Sequence, residues 1–594
     1  MKQCGLTSQS ETPEPEGMAA ILPLGWAARH KFFLEGGASL FLDGFVDLEE
    51  GSGIRAQRSD EKDLGNRLMH LYEREGLAFL KRLRGSFAMA LWDACARRLM
   101  LAVDSFATRP LYYWSNKNRI AFAPSVSSFS THSEIPKEID PNAIYFYLNH
   151  SFVPGPFTIY RHIKRLEPGQ CLLWEDGHVS LQRYWDMSYR EEKGVSEKII
   201  CENLRTAIEE SVRFHLQGLD HRPGEQGAFL SGGTDSSTLV GLLSRITQKG
   251  VKTFSVGFEE ELYNEINYAR IAASHFHSDA HEHFVSPSEA LDALSMLAGA
   301  FDEPFGNSSA IPTYFCLKMG RDAGVKVMFA GDGGDELFAG NERYVTEKIF
   351  TLYHVIPPWV RRGTDSLANV FPPISPFRKI RNYVRKANQS VPDRFFSYQL
   401  YFRDHATEYF TDDFRNVLDF DFPLQIPRQH YERIGDVSPL NRLLYMDLKL
   451  AIADNDLFKV NRMAESLGIQ VRYPYLDKHV AMVSGRIPAE LKLKGWTKRY
   501  IFKKAFGNLL PKEILAKKKH GFGLPTGDWL RTDMGFRDLA RSLLLDSRSI
   551  QRGYFKRKAL ADLLEKHDGE SSSYYGSQIW NFMMLELWHR NHVD

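Results

Sequence analysis

A seven-residue run, Ser231-Gly232-Gly233-Thr234-Asp235-Ser236-Ser237, sits between an apolar segment ending at Leu230 and an amphipathic one, and it constrains this chain more than any other feature. Adjacent glycines reach backbone conformations closed to other residues and let the main chain approach a ligand. Ser231, Ser236 and Ser237 add hydroxyls. A helix opening at this point adds unpaired N–H groups and the positive end of its dipole. Such a nest suits pyrophosphate. Asp235 would repel a bare phosphate, so a bridging Mg²⁺ is the natural reason for it. The run is not a Walker loop, because no Gly-Lys-Ser/Thr follows. A Gly-Gly turn with a Ser/Asp helix cap is the plain structural alternative.

The surrounding rhythm supports the ligand reading. Ser196–Leu216 reads as a long amphipathic helix. Strand Gly227–Leu230, helix Ser236–Ser244, strand Thr253–Phe258, helix Ile266–Phe276 and strand His283–Val285 follow. Next come helices Ser288–Leu297 and Ala310–Ala323 and strand Lys326–Ala330. Strands alternating with helices predict a doubly wound parallel sheet, whose ligands bind at the carboxyl ends of the strands. Directly after the last strand stands Ala330-Gly331-Asp332-Gly333-Gly334-Asp335-Glu336-Leu337-Phe338-Ala339-Gly340. Its acids among glycines make a flexible anionic rim, or else a solvated turn; the ligand spacing of an EF-hand is absent. Together the two rims can share one magnesium-bound triphosphate. From about 345 the chain reads as largely helical, interrupted by a Pro-rich piece at 357–376.

Before residue 185 the pattern differs. Short apolar strands (Ala38–Val46, Ser86–Trp92, Arg98–Val103, Leu111–Trp114, Cys171–Trp174) are broken by turns, with helical patches at Leu64–Glu75 and Pro141–Leu148. This predicts a mostly antiparallel β-sandwich with helices. Residues 1–17 read as a frayed terminus and 186–196 as a charged linker. The expected division is therefore 1–185 and 196–594, an α/β chain overall, in keeping with 594 residues being too many for one core. Seventy-five basic against 74 acidic side chains give no electrostatic reason to expect nucleic acid or an anionic membrane as partner. The five cysteines are scattered, which argues against a zinc site or a secreted disulfide framework. Met18–Ala28 contains Pro23 and Gly25 and follows acidic residues, so it reads poorly as a signal peptide. No apolar run approaches the roughly 20 residues that span a bilayer. A cytoplasmic enzyme is the expectation.

These residues resemble a known family. The Ser231 loop is similar to the pyrophosphate loop of N-type ATP pyrophosphatases, and Gly331–Gly340 resembles the companion motif of asparagine synthetases. Asp302-Glu303-Pro304 with Ser308–Thr313, Leu457–Met463, Val471–Asp477, Thr497-Lys498 and Lys519–Phe522 with Pro525 and Trp529 extend the likeness, as do Trp580 and Leu587-Trp588. Leu83–Asp93, Arg109–Tyr113, Thr158–Tyr160 and Leu166–Gly169 resemble the family's class II, Ntn-type glutaminase domain. The resemblance implies ATP and Mg²⁺, with a substrate carboxylate (aspartate by default) activated as an acyl-adenylate and then attacked by ammonia or another amine. It assigns Asp235 and Asp335 to the metal and Lys498 to the α-phosphate. Asp332 becomes the candidate base. Leu230, Val256, Ala330 and Gly331 join Ser231, Gly232, Gly233, Asp235, Ser236 and Ser237 around the nucleotide. Ala330 stands where the family usually has Ser, and Asn461 and Gln470 replace acids, the second removing a charge near the acceptor. A homodimer is the candidate assembly.

The glutaminase half departs from the family's pattern. The family's nucleophile is a Cys at residue one after loss of the initiator Met, its free amine serving as base. Here Lys2 follows Met1, and Cys4 would need three residues removed. The Arg-Gly-Pro-Asp clamp is absent near Arg29. Asp43-Gly44-Phe45 replaces the Asn-Gly-Glu oxyanion segment, and Val103-Asp104 replaces an Arg-Asp pair. The expectation is a disabled glutaminase. Three readings stand: a synthetase making asparagine, an intramolecular amide-forming cyclase resembling β-lactam synthetase or lasso-peptide cyclases, and a non-catalytic nucleotide-binding relative.

Overall fold

The computed structural model describes residues 20–23, 30–33, 39–49, 61–219, 224–260, 263–353, 356–357, 383–517, 523–569 and 573–594. Cys4, Arg29, nearly all of the Pro-rich piece and Lys519–Phe522 lie outside the described residues.

Among the described residues the first part holds ten strands: β1 (Ala20–Pro23), β2 (His30–Phe33), β3 (Ser39–Leu48), β4 (Leu83–Asp93), β5 (Arg98–Val103), β6 (Tyr112–Ser115), β7 (Arg119–Ala123), β8 (Lys164–Arg165), β9 (Gln170–Glu175) and β10 (His178–Arg183). They form a six-stranded antiparallel sheet in the order β10-β9-β5-β4-β3-β2 and a four-stranded sheet β1-β7-β6-β8, in which β1 runs parallel to β7. Side chains alternate across the larger sheet as a period of two requires. Phe41, Ala88, Ala90, Leu99, Leu101 and Val103 face Tyr113, Ile120 and Phe122 of the other sheet. Leu40, Leu42, Phe87, Met89, Leu91 and Met100 point away, against Leu68, Met69 and Tyr72 of helix α1 (Glu61–Glu75). The expected sandwich is present, with α1 covering its outer face. On the smaller sheet, Tyr112, Trp114, Ala121 and Ala123 continue into the core that fills the rest of the molecule, with helix α2 (Pro141–His150) beside them.

Residues 184–196 form neither helix nor strand but are tied down. The Asp186 carboxylate pairs with Lys449 at 2.7 Å, Glu191 accepts from Asn441 at 2.7 Å, and the Arg190 and Glu192 amides donate to Gly485 and Arg486. Ser196 then caps helix α3 (Glu197–Leu216) by accepting from the Ile199 amide.

The second part is built on five parallel strands, β11 (Gln226–Phe229), β12 (Lys252–Gly257), β13 (Asp279–Phe284), β14 (Val327–Phe329) and β15 (Gln470–Arg472), in the order β13-β12-β11-β14-β15. Crossovers use helices α4 (Thr234–Thr247), α5 (Ile266–His275), α6 (Pro287–Ala300) and α7 (Ala310–Asp322). A Ser286–Glu289 capping box opens α6. From β11 the chain builds outward to β13, then returns to place β14 on the opposite flank of β11, with Ala228 opposite Phe329. That reversal leaves a crevice at the carboxyl ends of β11 and β14, the place where open α/β sheets bind ligands. β13 lies earlier than the expected 283–285, because an exposed edge strand reading Asp-Ala-His-Glu-His-Phe carries no apolar run. β15 was not expected at all, since three residues inside a helical stretch give no periodicity to read.

Apart from β15, the remaining described residues are largely helical, from Glu342–Tyr353 to Gly576–His592. Among them, Leu448–Asp456 winds as a π-helix, a form that recurs at functional sites. Buried ion pairs join the two parts. Arg165 meets Asp454 at 2.7 Å and Arg84 meets Asp477 at 2.8 Å, while Asp302, paired with Arg462 at 2.9 Å, accepts from the Val126 amide at 2.6 Å. Beside them Glu303 accepts from the Ile159 amide at 2.8 Å, and burial pushes its carboxyl up to about 7 despite the neighbouring Arg165.

Candidate nucleotide site

β11 ends at Phe229, and Leu230 is still held to β12 by its amide donating to the Phe254 carbonyl and its carbonyl accepting from the Ser255 hydroxyl at 2.6 Å. The chain then turns through Ser231 into α4, whose first turn begins at Thr234 with Gly233 as cap residue. Gly232 has φ +65°, and a Cβ there would collide with the backbone of Tyr268 and Ala269, so only glycine allows the turn to lie against α5. The Ser231 and Ser236 hydroxyls lie 3.1 Å apart across the loop, and the Gly233 amide donates to Ser231 Oγ at 3.3 Å.

The partner rim leaves β14 at Ala330 and turns into helix α8 (Gly334–Phe338). The two rims touch. A Cβ on Gly334 would lie 2.5 Å from Asp235 Cγ, and one on Gly331 would lie 3.3 Å from the Ser236 amide nitrogen. Asp235 and Asp335 converge on one guanidinium: Arg499 Nη2 is 2.7 Å from Asp235 Oδ2 and is also paired with Asp335 Oδ1. A single cationic nitrogen bridges them, so one cavity holds both carboxylates. Two hard oxygen donors converging on a cation fit Mg²⁺.

The cavity measures about 700 Å³, within the range of small-molecule sites. Its walls include Leu230, Ser231, Gly233, Asp235, Ser236, Val256, Gly331, Asp332, Asp335 and Lys498 of the residues singled out from sequence. Its lining is mixed, with Phe229, Phe254, Val256 and Ile266 apolar and Asn307, Asn341, Asn455, Asp456 and Lys459 polar. Ala451, Ile452, Asn455 and Asp456 are supplied by the π-helical turn. Lys498 Nζ pairs with the exposed carboxylate of Glu342. Asp332 is pushed up to about 6 by burial and by the Asp456 carboxylate, against the opposing pull of Lys459, which itself pairs with Asp456 at 2.7 Å.

Three of the expected residues sit elsewhere. Ser237 is fully buried inside α4, because the helix turns its hydroxyl away from the cavity. Ala330 is also fully buried, and its amide is consumed by the Arg472 carbonyl. Gly232 shapes the loop from behind and is not on the wall. Gln470, expected near the acceptor, opens β15 opposite Val327, at the end of the strand remote from the crevice. Asn461 joins the two parts of the molecule, donating to the Thr108 carbonyl at 2.7 Å and accepting from Tyr473 at 2.8 Å.

The sequence alone assigns no role to several other residues of the wall. Arg499 follows Lys498 directly, which was a signal; Asp456 and Lys459, three residues apart on one helical face, were another. Lys517 donates to the Ser231 carbonyl at 3.0 Å and pairs with Glu265 at 3.1 Å. Burial lowers its pKa, with Glu265 opposing. In the first part, Asp104 accepts from the amides of Phe87, Phe106 and Thr108 and from the Thr108 hydroxyl at 2.5 Å, a fully buried knot.

Residues 203–590 match the family model described as asparagine synthase, and residues 57–185 match one described as a glutamine amidotransferase domain. Among curated relatives, a protein of Bacillus subtilis named asparagine synthetase [glutamine-hydrolyzing] 1 is 28% identical over 514 residues, 86% of this chain and 78% of that one. A putative asparagine synthetase [glutamine-hydrolyzing] of Mycobacterium tuberculosis is 26% identical over 542 residues, 89% and 80% of the two chains. Gibberella zeae amidase chry2 is 23% identical over 83% of this chain and 78% of its own.

Proposed function

Because the chain belongs to the asparagine synthase family, whose members are ATP-dependent amide-forming ligases, we propose that it activates a substrate carboxylate, aspartate by default, as an acyl-adenylate and passes it to an amine. The observation that carries this reading is the meeting of Asp235 and Asp335, from two different strand ends, on one cation in a cavity that also presents Lys498. We further read 1–185 and 196–594 as the two functional units.

In this mechanism the Ser231–Ser236 loop receives the pyrophosphate portion of ATP through its hydroxyls and the amides opening α4. Asp235 and Asp335 would hold Mg²⁺, which when bound neutralises phosphate charge. Leu230, Phe254 and Val256 offer the apolar surface for the base. A substrate carboxylate oxygen attacks the α-phosphorus, the bond to the β-phosphate oxygen breaks, and pyrophosphate departs. Lys498, once drawn off Glu342, offsets charge at the α-phosphate. The amine nitrogen then attacks the acyl carbon, the carbon–oxygen bond to AMP breaks, and a proton passes from nitrogen to base. Asp332 suits that base, since burial and Asp456 bring its carboxyl to about 6, close to neutral operating pH.

The glutaminase half is read as inactive, on Asp43 in place of the amide donor and on Val103 in place of the arginine before Asp104. That departure favours the second reading, a cyclase using the substrate's own amine. The deciding assay is pyrophosphate release with candidate carboxylates, comparing ammonium with glutamine. Activity with ammonium plus aspartate and none with glutamine supports the synthetase. Robust glutamine hydrolysis would overturn the inactive glutaminase, and no pyrophosphate release with any carboxylate would favour a non-catalytic relative.

A further inference from the structure

We propose that Arg499 is a built-in counter-ion that occupies the cation position between Asp235 and Asp335, so that a divalent metal binds only by displacing it. The inference rests on the reading above that these carboxylates are the metal ligands.

Three observations support it. One nitrogen of Arg499 serves both carboxylates, the place where a shared divalent ion would sit. The seat is built for the guanidinium: a Cβ on Gly340 would lie 2.6 Å from Arg499 Nη2 and would overlap its Nε, so the wall is bare where the side chain lies. Arg499 itself has φ +53°, an uncommon conformation for a residue with a side chain, and it immediately precedes helix Tyr500–Phe506, which fixes the direction of approach. The arrangement is also incomplete. Arg499 is buried, yet its Nε is without a hydrogen-bond partner among the described residues. A guanidinium held at one end and unsatisfied at the other costs less to remove than a fully bonded one.

The physical consequence is conditional metal binding. Without the guanidinium, two neighbouring carboxylates would attract a free divalent cation strongly, since their charges add at one point. With it in place, a lone cation must break two charge-assisted hydrogen bonds before gaining its own ligands. A nucleotide arriving with its cation brings phosphate charge that compensates the released arginine. Arg499 thereby disfavours metal alone relative to metal with nucleotide. It is a positioning residue and takes no part in bond making.

The test is Mn²⁺ binding to nucleotide-free protein, read as the loss of the free-ion electron paramagnetic resonance signal, for wild type and for Arg499→Gln. Arg499→Met is the second variant should the first not fold. The expected result is Mn²⁺ affinity at least tenfold tighter in the variant than in wild type, with the tight site lost again on adding Asp335→Asn. Melting temperature should rise with Mn²⁺ in the variant and stay nearly flat in wild type over the same range. Equal affinities in wild type and variant, both lost with Asp335→Asn, would overturn the counter-ion and leave the metal site standing. Tight Mn²⁺ binding that survives Asp335→Asn would overturn the metal assignment instead.

Discussion

Replacing Gly334 with Ala tests whether the two rims must touch. Gly334 begins α8 and has no positive φ, so alanine fits its backbone and slightly favours the helix. The obstacle is the new methyl. It would sit 2.5 Å from Asp235 Cγ and 2.7 and 2.8 Å from its oxygens, against the roughly 3.5–4.0 Å at which carbon contacts become comfortable. Asp235 must therefore retreat by about 1 Å. Its main chain cannot follow, because the Asp235 carbonyl accepts from the Tyr475 hydroxyl at 2.9 Å within the first turn of α4. The carboxylate thus swings off its position while the fold stays. Misplacing a positioned group by about 1 Å costs on the order of 100-fold in rate, about 2.7 kcal/mol of barrier. Pyrophosphate release under saturating ATP is the assay, with melting temperature measured alongside. Gly569→Ala, where a Cβ meets nothing within 4 Å, is the control. Wild-type turnover in Gly334→Ala would refute the contact and the assignment of Asp235 with it. A loss of turnover with an equal loss of stability would refute the claim that the effect is local.

Lys498→Ala should lower kcat by about 100-fold or more with little change in the KM for the acceptor, as expected for charge offset gained in the transition state. Glu342→Gln should change it by less than about fivefold, because the partner carboxylate is largely exposed and such pairs are worth little. Asp332→Asn should remove the acidic limb of the pH–rate profile near pH 6 along with most of the activity; a wild-type profile in that variant would exclude it as the base. Glu303 gives a stability test whose sign is fixed. Its folded pKa of about 7 lies above the ordinary value of 4.5, so the folded chain holds a proton that the unfolded chain has lost between those values, and this group makes stability fall as pH rises through that window. Urea unfolding of Glu303→Gln should lack that component and gain on wild type between pH 5 and pH 8; parallel curves would refute it.

Much of the site could be read from the chain because its chemistry is local. A strand, two glycines and a ring of small hydroxyls at a helix start are contiguous in sequence, and so are Asp332 and Asp335 on their rim. What escaped reading was assembled from afar. Arg499 reaches Asp235 across 264 residues by sequence number, and Asp456 arrives from a π-helical turn that no simple period announces. Ser237 and Ala330 show the opposite failure: each is adjacent to wall residues, yet helix rotation buries the first and a ladder hydrogen bond to Arg472 occupies the second. Gln470 lies in a stretch that reads as helical but holds a strand, and strand polarity puts it at the far end from the crevice.

β15, the last strand among the described residues, has a consequence for synthesis. β14 closes at Phe329, but its outer neighbour β15 begins only at Gln470, 141 residues later by subtraction of the two positions. A ribosome adding about 5–20 residues per second needs roughly 7–28 s to cover that distance. Throughout that interval β14, an apolar Val-Met-Phe triplet, is an open border with unanswered amides and carbonyls, which is a hazard for sticking to other nascent chains. Ribosomes stalled before codon 470 should therefore yield products that chaperones retain, and release should begin once residues 470–472 have left the exit tunnel.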